Sequence, residues 1–212
     1  TKKIEWLELN KSDQNLYDDT ISKMKKASSN DKIGFISKLV QICTGANNPE
    51  NVKIERATEI VAEHIKLNKK VIIFSTFNGV LKSQQISLNN QKIKNYLFNG
   101  ELSTDLRQKN LNTFLKEPSP CVLLANSNIA SEGLTLTKAS TVIFLNEWWN
   151  PSSNRQAEDR VNRIGQKDNV LIYNLRTIKT IDYNLSKILD LKMKLEKNFL
   201  NRLISSVSEV NN

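Results

Sequence analysis

The residues best suited to chemistry lie in Gln156-Ala157-Glu158-Asp159-Arg160-Val161-Asn162-Arg163-Ile164-Gly165-Gln166, where two arginines stand three positions apart. A guanidinium stays charged and offers a planar fork of donors to phosphate oxygens; on a rigid support it stabilises charge that develops in phosphoryl transfer. The spacing supplies such a support. Ala157, Val161 and Ile164 fall on one face of a helix, and Gln156, Arg160 and Arg163 fall on the face beside it. Asn150-Pro151-Ser152-Ser153 reads as a turn, Ser153 with Gln156 fits a capping box, and Gly165 fits a left-handed terminus, which predicts a short helix from near Ser153. Taken by itself the pattern also fits a solvated surface helix whose arginines make weak pairs with Glu158 and Asp159.

The elements that must carry this helix read as α/β. Val71–Thr76, Tyr96–Phe98, Cys121–Ala125, Thr141–Leu145 and Val170–Leu175 are short apolar runs rich in β-branched or aromatic residues, without strict alternation. Strands buried on both faces read this way, and helical patterns near 54–67, 79–88, 104–115 and 154–164 lie between them. The alternation predicts a parallel sheet covered by helices, with ligands at the carboxyl ends of the strands. Ser75-Thr76, Asn99-Gly100, Asn126-Ser127 and Asn146 through Asn150 each follow an apolar run. Hydroxyls and amides there suit phosphate positioning without base reading, although taken singly such residues more often make ordinary turns. Two helical patterns over 13–45, broken at Ser28-Ser29-Asn30-Asp31, predict a helical elbow over 1–48. Ile181, Leu185, Ile188, Leu191, Leu195, Phe199, Leu203 and Val207 trace the stripe of a long bracing helix over 179–212.

Bulk properties set bounds. The chain has 212 residues and a net charge of +9, spread as +2, +3 and +4 over 1–48, 49–147 and 148–212. A polyanion partner fits that excess, bound by a folded surface and not by a basic tail. No apolar run approaches a membrane span of roughly 18 residues, and Thr1-Lys2-Lys3-Ile4-Glu5 has no signal-peptide core. Cys43, Cys121 and the single histidine, His64, have no metal-ligand spacing, so no metal site is expected. The cysteines read as apolar packing residues and His64 as a surface or boundary residue of a helix.

These motifs together resemble a family, and the resemblance covers nearly the whole chain. Arg155 through Gln166 is similar to motif VI of the Swi/Snf-type DNA-dependent ATPases, Gln-Ala-x-Asp-Arg-x-His-Arg-Ile-Gly-Gln. Val71–Phe77 resembles motif IV, and Gly100, Arg107 and Phe114 the segment after it. Leu123–Asn126 through Ser131–Thr137 resembles motif V, and Trp149-Asn150-Pro151 the Trp-Asn-Pro that follows. Leu39–Cys43 is similar to the Leu-Arg-Gln-Ile-Cys that opens this lobe, and Thr180-Ile181-Asp182 to the Thr-Ile-Asp that starts its closing helix. Asn162 replaces the usual His, and Ser131-Glu132-Gly133 replaces Gly-Leu-Gly, which is nearer the distant annealing-helicase-like branch.

The resemblance implies a RecA-like helicase C-terminal lobe over 49–178, the second lobe of a two-lobed motor. Arg160 and Arg163 would be its arginine fingers, with Gln156, Gly133 and Glu132 at ATP. Ser75, Thr76, Asn99, Gly100, Arg107, Asn126 and Ser127 would touch double-stranded DNA, and Trp149 and Asn150 would lie at the lobe interface. No Gly-Lys-Thr/Ser loop and no Asp-Glu-x-His box occurs in the chain, so ATP and Mg²⁺ would be held mainly by an N-terminal RecA-like lobe. The fragment alone is expected to be monomeric, intracellular and unable to hydrolyse ATP. A strand-separating DNA or RNA helicase lobe and a non-catalytic adaptor lobe are the competing readings.

Overall fold

In the computed structural model of the chain, residues 1–130, 136–147, 151–162, 166, 168–192 and 194–195 are described. Six strands form one sheet: β1 (Lys2–Leu7), β2 (Val71–Ser75), β3 (Asn95–Phe98), β4 (Val122–Asn126), β5 (Thr141–Phe144) and β6 (Leu171–Thr177). Their order is β1-β6-β5-β2-β4-β3, and every pairing is parallel. The helices are α1 (Lys11–Lys26), α2 (Lys32–Thr44), α3 (Val52–Lys66), α4 (Asn78–Asn90), α5 (Thr104–Lys116), a single turn α6 (Ser127–Ala130) and α7 (Pro151–Val161). Residues 181–192 are also helical.

The unbroken apolar runs are explained by burial on two faces. Ile72, Phe74, Leu123, Ala125, Val142 and Phe144 pack with Leu111 and Phe114 of α5 and with Ala157 and Val161 of α7. Their neighbours Val71, Ile73, Val122, Leu124 and Ile143 pack on the opposite face with Ile54, Ala57, Ile60 and Val61 of α3 and Val80, Leu81 and Leu88 of α4. Successive strand residues point to opposite faces, so a strand covered on both sides needs apolar residues at every position. Phe74 and Phe144 stack with ring centroids 5.3 Å apart. Burying each such ring contributes about 2 kcal/mol.

Two expectations are corrected at the amino end and at α7. Residues 2–7 are not helical; they form strand β1 beside β6, in the register Lys2↔Ile172 to Leu7↔Thr177. Its charged sequence suits an edge strand, which is half solvated. Lys3 lies 5.3 Å from the Tyr173 ring centre and Glu5 bonds Arg56 of α3 at 2.7 Å, whereas Lys2 reaches Glu158 of α7 at 2.7 Å. The alternation of Ile4 and Trp6 with charged residues was the available signal. Helix α7 begins at Pro151, so Ser153 lies inside the first turn and is not its cap; proline's fixed φ suits the first helical position.

The elbow is the hairpin α1–α2. Tyr17, Leu39, Ile42 and Cys43 form its core, with Ile21, Met24 and Ile181 against it. Gly45 ends α2 at φ +82°, where an added Cβ would lie 2.6 Å from Cβ of Asn51. Asn51 accepts from the Lys53 amide to cap α3 and donates to Asp13 of α1 at 2.8 Å, which ties the elbow to the sheet layer. The bracing stripe is only partly buried. Leu189 is covered, but Ile188, Leu191 and Leu195 are half or more exposed, and Phe199, Leu203 and Val207 lie outside the described residues.

Candidate functional site

The candidate residues divide between two ends of the sheet. At the carboxyl ends of β2, β4 and β5 the side chains form a polar clasp. Asn146, just beyond β5, accepts through Oδ1 from Ser75 Oγ (2.8 Å) and the Thr76 amide (3.2 Å), and its Nδ2 donates to Thr76 Oγ1 (2.8 Å). Asn126 closes the other side, donating to the Thr76 carbonyl (3.2 Å) and to Asn78 Oδ1 (2.8 Å) while accepting from the Asn128 amide (3.0 Å). Ser75 is fully buried and its hydroxyl also accepts from the Phe77 amide. Ser75 therefore shapes the turn from within, and Thr76, half-buried, is the member nearer solvent.

The ends of β3 and β4 lie side by side, because Phe98 pairs with Ala125. Asn99, the next residue, is fully buried and accepts from the Glu101 amide. Its Nδ2 and the Ser127 Oγ are buried polar atoms without a hydrogen-bond partner among the described residues. Leaving such groups unmade costs about 1–3 kcal/mol each. Gly100 approaches α6 closely, since a Cβ there would meet Ile129 Cδ1 at 3.1 Å. Arg107, half-buried on α5, donates to Thr104 Oγ1 at 3.2 Å, below the cap that Ser103 provides.

Arg160 is not with this group. From the carboxyl end of β5 the chain enters α7 and runs back, so Arg160, at the last turn, lies beside the segment that leads into β5. Its carbonyl accepts from the Leu136 amide at 2.9 Å. Gln166 fastens the same place, donating through Nε2 to the Ala139 carbonyl (2.7 Å) and the Val161 carbonyl (3.3 Å) and accepting from the Asp168 amide. Unlike the Ser, Thr and Asn candidates, Arg160 does not stand at the carboxyl end of a strand. Along α7 the apolar face is as expected: Ala157 and Val161 are buried, Gln156 is exposed and Arg160 is half-buried. Glu158 is held by Lys2. Arg163, Ile164, Gly165, Glu132, Gly133, Trp148, Trp149 and Asn150 lie outside the described residues.

Several residues that hold the site escaped the sequence reading. Glu147 accepts from Asn174 Nδ2 (2.8 Å) and Arg176 Nε (2.7 Å) on β6. Lys53, completely buried on α3, donates to the Leu145 carbonyl at 2.9 Å and pairs with Asp182 at 2.6 Å. Pairings this distant along the chain have no local signature. His64 is buried, contrary to expectation, between Thr141 Oγ1 at Nδ1 (3.0 Å) and the Tyr173 hydroxyl at Nε2 (3.2 Å), and burial lowers its pKa. Cys43 and Cys121 are buried free thiols, each pushed up to about 11 by burial. Among the described residues no group of three or more His, Cys, Asp or Glu could hold a metal ion, and no helix is long and apolar enough to cross a membrane.

A parallel sheet with helices on both faces, polar clasps at its strand ends and an arginine helix running back across it define a RecA-like helicase lobe. The chain belongs to the Helicase conserved C-terminal domain family, which matches residues 52–165, and is a lobe of the Swi2/Snf2 type. An uncharacterised ATP-dependent helicase of Mycoplasma genitalium is 30% identical over 208 residues, covering 92% of this chain and 20% of that protein. The human lymphoid-specific helicase is 35% identical over 135 residues, 62% of this chain and 16% of that protein. The Sulfolobus solfataricus SWI2/SNF2 ATPase core solved in complex with dsDNA is similar with a TM-score of 0.75 at 25% identity, over 92% of this chain and 44% of that one. The chain thus spans about a fifth of the length of the M. genitalium relative.

Proposed function

We propose that this chain is the second motor lobe of an ATP-driven translocase on double-stranded DNA, and that Arg160 and Arg163 serve as arginine fingers toward a nucleotide held by a preceding lobe. The observation that carries this reading is the mounting of Arg160. Ala157 and Val161 anchor its helix in the core, Leu136 and Gln166 fasten the helix end, and Arg160 is half-buried in a sequence that carries no phosphate loop. A cation fixed in this way suits charge that develops on a phosphoryl group bound elsewhere.

The donor set fits the phosphate half of the nucleotide site and not its metal half. The Arg160 guanidinium stands on the last turn of the helix, while the Mg²⁺ ligands and the triphosphate cradle belong to the other lobe, so the isolated chain does not turn over ATP. Gln156, exposed one turn before Arg160, orients the arginines, and Gly133 and Glu132 adjoin the nucleotide. At the opposite end of the sheet Thr76, Gly100, Arg107 and Ser127 approach the duplex backbone, and Ser75, Asn99 and Asn126 shape that edge from beneath. Such contacts position a duplex without reading sequence. The Sulfolobus core, solved with dsDNA, is the relative that favours duplex over a separated strand. Trp149 and Asn150 lie at the interface with the first lobe.

The test joins this lobe to its natural upstream sequence and measures ATP turnover with and without duplex DNA. Duplex-stimulated turnover is expected, and Arg160→Ala or Arg163→Ala should lower kcat on the order of a thousandfold. Turnover indifferent to duplex, or untouched by both substitutions, would sink the proposal.

A further inference from the structure

Beside the strand-end clasp lies a cavity of about 200 Å³, where the elbow and the closing helix meet the residues that follow β2 and β5. Ile36 and Val40 of α2, Ile181 and Leu185 of the closing helix, and Phe77 after β2 supply its apolar lining. All five are half-buried, so each keeps apolar surface that an occupant would take out of water. A dry apolar cavity of about 150 Å³ is enough to hold benzene, so this one has room for a substituted ring.

The polar part of the lining restricts the occupant. Glu147 is already neutralised: its two oxygens accept from Asn174 Nδ2 at 2.8 Å and from Arg176 Nε at 2.7 Å. Asn146 is engaged as well, accepting from Ser75 and the Thr76 amide and donating to Thr76 Oγ1. Among the described residues no unpaired charge lines the cavity, and an ion buried there would lose its hydration without gaining a counter-charge. The two hydroxyls of the lining differ from the rest. Thr76 Oγ1 accepts from Asn146 at 2.8 Å and Ser37 Oγ accepts from Gln41 Nε2 at 3.3 Å, but neither hydroxyl proton has an acceptor among the described residues. Each hydroxyl therefore offers an occupant one donor.

We infer that this cavity binds a small uncharged aromatic compound bearing a hydrogen-bond acceptor, which takes the Thr76 hydroxyl proton and thereby competes with duplex DNA for it. The binding site stands on the cavity itself; the competition rests on the proposed function, in which Thr76 approaches the duplex backbone. Thr76 has one hydroxyl proton to give, so an occupant that accepts it leaves the clasp one donor fewer for phosphate. Each ligand then weakens the other by the same factor, about fivefold for one neutral hydrogen bond.

The test titrates the full-length protein with three fluorinated benzenes, followed by fluorine NMR. Para-fluoroacetophenone carries an acceptor, para-fluoroethylbenzene has none, and para-fluorobenzoate is charged. The ketone is expected to bind with a Kd on the order of 1 mM, as suits its size, and the other two at least about fivefold more weakly. Leu185→Phe, which fills the cavity, should abolish binding; if that variant does not fold, discrimination among the three rings by the parent protein still decides the site. Absence of binding, whether water or another part of the protein holds the cavity, overturns the inference. Equal binding of the three rings, or ketone binding retained by a folded Leu185→Phe protein, also overturns it. By fluorescence anisotropy the saturating ketone should raise the Kd for duplex DNA about fivefold, and Thr76→Val should abolish that dependence. Ketone binding that leaves duplex affinity unchanged overturns the competition and with it the inference. A parent protein with no affinity for duplex overturns the proposed function, and the NMR titration then decides the cavity separately.

Discussion

The ammonium of Lys53 and the carboxylate of Asp182 meet at 2.6 Å with side-chain exposures of 1% and 6%. Lys53 comes from the first turn of α3, and Asp182 opens the closing helix. Asp182 also accepts from the Thr177 amide and hydroxyl, and Lys53 also donates to the Leu145 carbonyl. Four elements therefore converge on one buried ion pair. Removing one partner leaves the other charge buried and uncompensated, so Lys53→Met or Asp182→Asn should destabilise the fold by about 3–5 kcal/mol. The double variant Lys53→Met with Asp182→Leu should lose much less than the sum of the singles. Urea unfolding of the four proteins decides it, and additive losses would show that the pair does not act as a unit.

His64 makes stability depend on pH. Burial lowers its pKa from the usual 6.5, so the unfolded chain takes up a proton before the native one does. Its contribution is fully present above the unfolded value and is lost as the pH falls through 6.5 towards the lower native value. Because it is the sole histidine, the fall in unfolding midpoint between about pH 7.5 and 5.5 should be shallower in His64→Gln. Equal slopes in the two proteins would show that His64 titrates normally.

Asn146 supplies both halves of the amide clasp that holds Ser75 and Thr76. Asn146→Ala should cost about 1–3 kcal/mol in unfolding. In the full-length protein it should weaken duplex binding about fivefold, on the order of 1 kcal/mol, as read by fluorescence anisotropy. Asn146→Asp keeps the acceptor for Ser75 Oγ and the Thr76 amide but buries a negative charge at the phosphate-facing edge, so it should weaken duplex binding at least as much. An alanine variant with unchanged duplex affinity would separate the clasp from DNA binding.

Cys43 and Cys121 should be silent to thiol reagents in the native lobe. Burial raises each thiol to about 11, so little thiolate exists at neutral pH, and neither sulfur faces solvent. Titration with a chromogenic disulfide should detect no fast thiol before denaturation and two after it. A fast-reacting thiol in the native protein would mean that α2 or the start of β4 opens locally.

Much of the fold was legible because it is written locally. The runs at 71–74, 121–125 and 142–145 are apolar at every position, a pattern that strands buried on both faces require, and the helices between them carry their own periodicity. Strand β1 was signalled only by the alternation of Ile4 and Trp6 with charged residues. Lys2-Lys3-Ile4-Glu5-Trp6-Leu7 has too little apolar character to announce a strand, and only the edge offered by β6, some 170 residues away, gives it a partner. The start of α7 was misplaced by two residues, because Ser153 and Gln156 imitate a cap while Pro151 already holds the first helical position.

By itself the sequence determined the residue types, the spacing that sets Gln156 and Arg160 beside the buried Ala157 and Val161, and the runs that follow each strand with Ser, Thr or Asn. Helical and strand periods are local quantities, so a reader of one chain can recover them. Which ends of the sheet those residues occupy was decided only by tertiary structure. A helix that follows a strand must run back across the sheet, so it carries Arg160 to the edge opposite Thr76 and Asn126. The pairs at the carboxyl ends of β5 and β6, Glu147 with Arg176 and Lys53 with Asp182, join residues whose proximity arises from strand order and from nothing in their own neighbourhoods.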